Sequence, residues 1–243
     1  MTESVSSTNS SSNGGLIDDV IGIFTSPASV FARVRNSGFA RPALIQSVIF
    51  IVLVLALRNL VSPYFDAEFE RGMNAAAAKG QQIPESALAM SRKIAGFTAL
   101  GGPVISPWFI AIFGGLLTFV AAKLLGAKLS YGQSAMIAAW SAFPSVIGYI
   151  AFAVQGALAD TQALRGVSDG QIGPARFFDP TQVSPAVLSL LQSLDLFSIW
   201  SVVLTAIGVS VVAGVSRSTG AIVAIVRFGA VAAISLATSL MRG

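Results

Sequence analysis

The sequence predicts an all-α integral membrane protein, a bundle of five transmembrane helices with short amphipathic helices outside the membrane. Three observations predict it. Hydrophobic residues make up 54% of the 243 and charged residues only 11%, against roughly 25% charged in a soluble domain. Mean hydropathy is +0.76, an apolar excess that a soluble fold could not cover. Five stretches approach the roughly 20 apolar residues that a helix needs to cross a hydrocarbon core. Most of them lack Pro-Gly clusters and period-two alternation, so helices are favoured over barrel strands.

The spans follow in order. Residues 43–57 are uncharged, and the first span runs to about residue 62 with Arg58 near its end. The second covers residues 104–122, where Pro103 and Pro107 suit the first turns. The third is drawn from an uncharged run and placed at 133–155, the fourth at 196–216, and the fifth at 221–241, interrupted by Arg227. Together, residues 42–243 form the transmembrane domain. Residues 1–15 are rich in Ser, Asn and Gly and are expected to be a disordered tail. They lack the charged start and apolar run of a signal peptide, and the sequon at Asn9 is expected to be unused.

Residues 16–41 form an amphipathic segment. Leu16, Ile17, Val20, Ile21, Ile23 and Phe24 precede Pro27, which restarts a helix bearing Val30, Phe31 and Val34. It reads either as an interfacial pair with Arg33 and Arg35 at lipid headgroups, or as a helix packed beneath the bundle. Between the first two spans, Ile83, Ala87, Met90, Ile94 and Phe97 recur at helical spacing. Before the fourth, Ser184-Pro185 opens a helix with Val187, Leu190, Leu191 and Leu194 on one face. Both stripes point to packing more than to binding. Small residues line Ala206, Ser210 and Gly214 in the fourth span, and Gly229, Ala233 and Ala237 in the fifth. They predict a closely packed hairpin, although an Ala- and Gly-rich chain also yields such stripes by composition.

Charge sets the topology. The short loops carry only Lys123, Lys128 and Arg217, whereas residues 63–103 and 160–195 hold eight acids against six bases. Short basic loops face the cytoplasm, which places the amino terminus inside and Arg242 outside. The 15 Lys and Arg are scattered, with no run longer than Arg92-Lys93. This pattern fits the positive-inside bias and excludes a nucleic-acid footprint.

Four segments, taken together, resemble the Yip family of membrane proteins, named for interaction with Ypt/Rab GTPases. They are Phe24–Phe31 followed by Arg33 and Arg35, Leu125–Tyr131, Trp140–Pro144, and Leu194–Trp200 running on to Gly208. The second resembles the short loop between spans two and three, the third the family's proline early in span three, and the fourth the opening of span four. The resemblance covers residues 17 to about 240. It implies a membrane-organising or trafficking role as in eukaryotic members, and the short amino-terminal region points to a bacterial-type member in a plasma membrane. Arg227 departs from the family's apolar fifth span. The short amino-terminal region lacks the long cytosolic segment of eukaryotic members, which disfavours a Rab-type GTPase as partner.

Reaction chemistry is scarce. There is no Cys and no His, which removes thiol and imidazole catalysis and nitrogen- or sulfur-ligated metals. No phosphate-binding or dinucleotide fingerprint is present, and no nucleophile pairs with a base inside a span. Asp66, Glu68 and Glu70, with Asp160, are surface carboxylates too few and too mobile for a metal site. No cofactor is implied. Polar groups within lipid are the better pointers. Arg227 could be a counter-charge for an anionic substrate or lipid headgroup, or its stem could lie along Val223 and Ala224 and carry the charge to the inner interface. Gln46, Gln133 and Gln155 are expected to make interhelical hydrogen bonds. Arg58 and Asp195 are expected at the outer surface as an ion pair, and Pro144, early in span three, is a candidate helix-contact or ligand residue.

A non-catalytic scaffold that binds membrane lipid, other membrane proteins or itself is the leading functional reading. A transporter or channel component, with Arg227 facing the ligand, is the alternative. A transporter is disfavoured by the absence of an internal repeat and of paired midplane charges, and a lipid-handling enzyme by the missing catalytic groups.

Overall fold

The computed structural model describes residues 15–81 and 83–240. The predicted tail up to residue 14, the sequon at Asn9, and Arg242 fall outside them. Two short helices, α1 (Leu16–Thr25) and α2 (Pro27–Val34), come first. The first span is α3 (Ala40–Ala78). The second is α4 (Glu85–Phe109), which passes through a π-helical turn (Ile110–Gly114) into α5 (Gly115–Leu124). The third is broken into α6 (Tyr131–Ser141) and α7 (Pro144–Leu158). Three 3₁₀ turns and α8 (Pro185–Ser193) then lead to α9 (Leu196–Ala213) and α10 (Arg217–Leu240), the fourth and fifth spans. Among the described residues, these five rods are long and apolar enough to cross a membrane.

The amphipathic stretch after the first span does not form a separate helix. α3 has 39 residues and the second rod 40, each about 60 Å at 1.5 Å per residue, longer than the 40–45 Å of a whole bilayer. Pro63, Pro103 and Pro107 lie inside helices. Pro107 withholds the N–H that the Pro103 carbonyl needs, and the Ser106 hydroxyl supplies a donor at 3.0 Å. From α3, the Ser47 hydroxyl donates to the Val104 carbonyl at 2.7 Å, and Trp108 Nε1 donates to Ser47 Oγ at 3.1 Å. Lateral bonds thus hold the two rods together at the proline-weakened stretch.

α1 and α2 pack against the bundle, with Ile23, Val30 and Phe31 buried. They form a hairpin inserted lengthwise beside α9. The Phe24 ring meets Trp200 edge-on at 5.4 Å, and Trp200 is about 20 Å by helix rise from the Ala213 end of α9. Phe31 is fully buried and occupies a notch at Gly208, where a Cβ would come within 2.9 Å of its ring. Arg33 does not reach headgroups as a free cation, because its guanidinium pairs with Asp19, which is only 3% exposed.

The main core forms where this hairpin meets the bundle, with Ile23, Phe31, Met136, Trp140, Leu204 and Val209 among its members. That near end also holds the α5–α6 loop and the α9–α10 turn. The distal end holds the connections from α3 to α4 and from α7 to α9. In α8 the predicted stripe is misplaced: Val187, Leu190 and Leu194 are exposed and Leu188 is the buried residue. The small residues of α9 do face α10, since a Cβ on Gly220 would stand 2.5 Å from the Ala206 carbonyl oxygen and 3.1 Å from Ser210 Cβ. In α10, however, Gly229, Ala233 and Ala237 are exposed. The α9–α10 approach is made at Gly220, Val223 and Ala224 instead.

Candidate functional site

α10 carries Arg227 ten residues from its start, about 15 Å along the axis, and packs on α9 and α5. The guanidinium turns inward. Nη1 donates to Thr205 Oγ1 at 3.0 Å, and the Thr205 hydroxyl donates to the Ser201 carbonyl at 2.8 Å. Thr205 is fully buried and sits midway along α9, so the charge lies at mid-bundle depth and does not snorkel to the near interface. Across from it is the π-helical turn, a local insertion of the kind that recurs at functional sites. At Gly114 a Cβ would stand 2.8 Å from Arg227 Nη2, so the glycine provides the space that the guanidinium fills. The Gly114 carbonyl is occupied by the Thr118 hydroxyl at 2.7 Å.

Nε of Arg227 is buried without a partner. The ion pairs among the described residues, Arg33–Asp19, Arg71–Glu68 and Arg165–Asp169, leave Arg227 without a carboxylate. An unpaired charge at this depth costs about 2.5–3.5 kcal/mol on insertion scales. The arrangement can tie three rods together, and it can hold an anion against the free edge of the guanidinium.

Pro144 opens α7 at its first position, and at the break the Ala139 carbonyl takes the Ala142 N–H at 3.3 Å and has room for a second donor. Gln46, fully buried on α3, donates Nε2 to the Ala139 carbonyl at 2.8 Å, an interhelical bond of the predicted kind. Trp140 and Phe143 stack at 5.1 Å beside the break. Gln133, by contrast, closes a capping box with Ser130 at the start of α6, and Gln155 accepts from Arg176 of the distal loop at 3.0 Å.

Arg58 and Asp195 are not partners. Asp195 caps α9, accepting from the Phe197 N–H at 2.9 Å and from the Ile172 N–H at 3.2 Å. Arg58 lies in a groove between α3 and α4 with Asn59, Ser62 and Arg92. An Asp just before an apolar run satisfies the orphan amide donors of the new helix, and that local demand outweighs a distant guanidinium. Glu68 is likewise engaged, with Arg71 and with the Val167 N–H at 3.3 Å. Among the described residues no group of three or more acidic side chains gathers to hold a metal.

In the distal loop, the Thr181 hydroxyl and N–H hold the exposed Asp179 carboxyl below its usual range. The Asp169 hydrogen bond raises Arg165 further above its already high value. The sequence reading missed Asp19, the Gly114 bulge and Arg176. Only Asp19 carried a signal, an acid inside the apolar run Leu16–Phe24.

These features define a polytopic α-helical membrane protein of five spans, with a helical hairpin inserted at one end. The chain belongs to the Yip1 domain family, whose model matches residues 21–239. It is similar to the membrane protein YknW of Bacillus subtilis (strain 168), with 26% identity over 248 residues covering 96% of each chain. No solved structure matches it.

Proposed function

We propose that the chain is a non-catalytic, membrane-organising protein of the Yip type that holds partner proteins and lipid without converting a substrate. The observation that carries this reading is the use made of polar groups inside the spans. Gln46, Ser47, Thr118, Thr205 and Arg227 each bond a backbone carbonyl or a neighbouring helix. The bonds from Gln46, Ser47 and Arg227 cross between helices and fix their mutual positions. Those of Thr118 and Thr205 to carbonyls stay within their own rods, and none of them pairs a nucleophile with a base. The near end, where Arg and Lys outnumber the acids, faces the cytoplasm of a bacterial cell in this reading, supported by the basic short loops.

A transporter or channel component is the second reading, favoured by one observation, the enclosed and unpartnered Nε of Arg227. Two measurements separate them. A scaffold purified in mild detergent carries a membrane partner at fixed stoichiometry, and its proteoliposomes show no solute flux. Flux of an anionic solute that falls to background in Arg227→Leu overturns the scaffold and installs the transporter.

A further inference from the structure

The distal end carries a second set of groups, remote from Arg227. Where the ends of α3 and α7 meet the loop that follows α7, a cleft of about 440 Å³ opens, lined by Tyr64, Gln155, Asp160, Arg165, Asp169 and Arg176. That volume is within the range of small-ligand sites.

Hydrogen-bond accounting shows which groups are free. Arg165 is matched by Asp169: its Nε and Nη2 reach Oδ1 at 3.2 and 2.6 Å, and its backbone N–H reaches Oδ2 at 2.7 Å. Asp160 accepts from the Gln162 N–H at 3.0 Å. Arg176 differs. Its Nη2 donates to a neutral acceptor, Gln155 Oε1, at 3.0 Å, and no carboxylate lies within ion-pair distance of it among the described residues. The Gln155 amide nitrogen and the Tyr64 hydroxyl add donors to the same wall. A guanidinium without an ion-pair partner, flanked by amide and phenol donors and with Asp160 as the opposing charge across the same cleft, has the chemistry that recognises a phosphate or carboxylate.

Depth and the cleft's rim choose among anions. Gln155 lies about 36 Å by helix rise beyond the start of α6, and Tyr64 about 35 Å beyond Arg41. Both distances fall just past a hydrocarbon core of about 30 Å and inside a bilayer of 40–45 Å, which is headgroup depth. Leu158 at the rim is 82% exposed, and Phe177 is 80% exposed with its ring 5.9 Å from the Arg176 guanidinium carbon. Apolar side chains left bare beside a cation match a surface that meets acyl chains and headgroups together.

We propose that this cleft binds the phosphate of a phospholipid headgroup from the distal leaflet. Arg176 is the principal ligand, Gln155 orients its guanidinium, and Leu158 and Phe177 lie against the acyl chains. The proposal rests on the lipid-holding part of the function above, and it is independent of any partner protein.

The test uses the full chain in detergent, titrated with dioctanoyl phosphatidylglycerol, with inorganic phosphate, and with dioctanoylglycerol, which keeps the tails but lacks the phosphate. Binding is read by native mass spectrometry and by thermal shift. The phospholipid should bind and the diacylglycerol should not. Arg176→Gln should weaken lipid binding about 10- to 100-fold, the loss of one charge-assisted hydrogen-bond set, and Arg176→Lys should recover part of it. Phe177→Ser, at an exposed position, keeps the fold and should weaken the phospholipid alone, which holds the test open if Arg176→Gln does not fold. Equal affinity for inorganic phosphate and phospholipid overturns the lipid in favour of a free anion. Equal binding of the diacylglycerol, or unchanged lipid affinity in Arg176→Gln, overturns the site. Either failure alongside intact partner co-assembly leaves the scaffold reading in place.

Discussion

Replacing Gly156 with Ala tests the tightest helix approach in the molecule's distal half. A Cβ at Gly156 would stand 2.0 Å from the Leu60 carbonyl oxygen, 3.0 Å from its carbon and 3.1 Å from Tyr64 Cε2. Ordinary contact begins near 3.4 Å, so α3 and α7 must part by roughly 1.4 Å, within the range in which overpacking becomes costly. The obstructing atoms are backbone, and no rotamer change relieves them. The Tyr64–Phe152 ring pair, at 4.6 Å, would be pulled apart with the helices. Overpacking costs about 1–3 kcal/mol, offset by under about 1 kcal/mol from the better helix propensity of Ala. At about 2–4 °C per kcal/mol for a chain of this size, the variant should melt roughly 2–8 °C below wild type. The assay is thermal unfolding in detergent followed by tryptophan fluorescence. Gly229→Ala is the matched control, since nothing lies within 4 Å of its Cβ, and it should melt no lower than wild type. Identical melting of Gly156→Ala and Gly229→Ala would refute the packing argument.

Three further outcomes are expected. Arg33→Ala strands the Asp19 carboxylate. It should cost roughly 1–3 kcal/mol, below the 3–5 of a fully buried pair, because the Arg33 side chain keeps 38% of its surface exposed; chemical denaturation reads the loss, and a wild-type midpoint would deny the pair any structural role. Arg227→Leu should fold and melt at or above wild type, since the unpaired charge costs more than its bond to Thr205 returns, whereas Thr205→Val should destabilise only when Arg227 is present; a double-mutant cycle with no coupling rules the contact out. Cysteines at Ser130 and Ser218 should resist impermeant thiol reagents in intact cells while cysteines at Gln81 and Thr161 label, and the reverse pattern would invert the topology. Thr161 is exposed, whereas Ser168 of the same loop would be a poor probe, being 3% exposed and accepting from Gln192 at 2.8 Å.

The five rods were legible because a charge-free run of about 20 residues has few structural alternatives in lipid. What lay beyond their boundaries was not legible. Pro103 and Pro107 read as first-turn residues of the second span, yet both lie deep inside a helix, and for Pro107 the nearby Ser106 hydroxyl satisfies a carbonyl freed of its partner. Ser47 of α3 arrives at the same place, donating to the Val104 carbonyl and accepting from Trp108 of α4, a meeting of two helices that periodicity does not encode. The inserted hairpin escaped detection for a related reason. α1 and α2, with ten and eight residues, are too short for a hydropathy window, and their fully buried Ile23 and Phe31 look the same whether they face lipid, water's edge or α9. Asp195 and Arg58 show the limit on pairs: charges at the same depth suggest a bond, but a helix start claims a carboxylate more strongly than a distant cation does.

The two ends of the bundle are built for different duties, and Arg227 lies between them. At the near end, Phe31, Trp140, Met136 and Val209 interlock around the hairpin, so a substitution there disturbs the packing of several helices at once. At the distal end, one cleft is lined by Arg58 and Arg92 within α3 and α4, and the other by Asp160 and Arg176 on the loop that follows α7. Under the lipid-binding proposal, changes to the loop side chains there would alter recognition at lower cost to the fold, as loops on a rigid scaffold usually allow. A guanidinium held by Thr205 and accommodated at Gly114 links α9, α10 and the second rod at the level where the dense half gives way to the open one. If an anion or lipid ever engages its free Nε, the energy of that contact would act directly on how the three rods cross. The distal clefts, by contrast, could be filled or emptied without moving them.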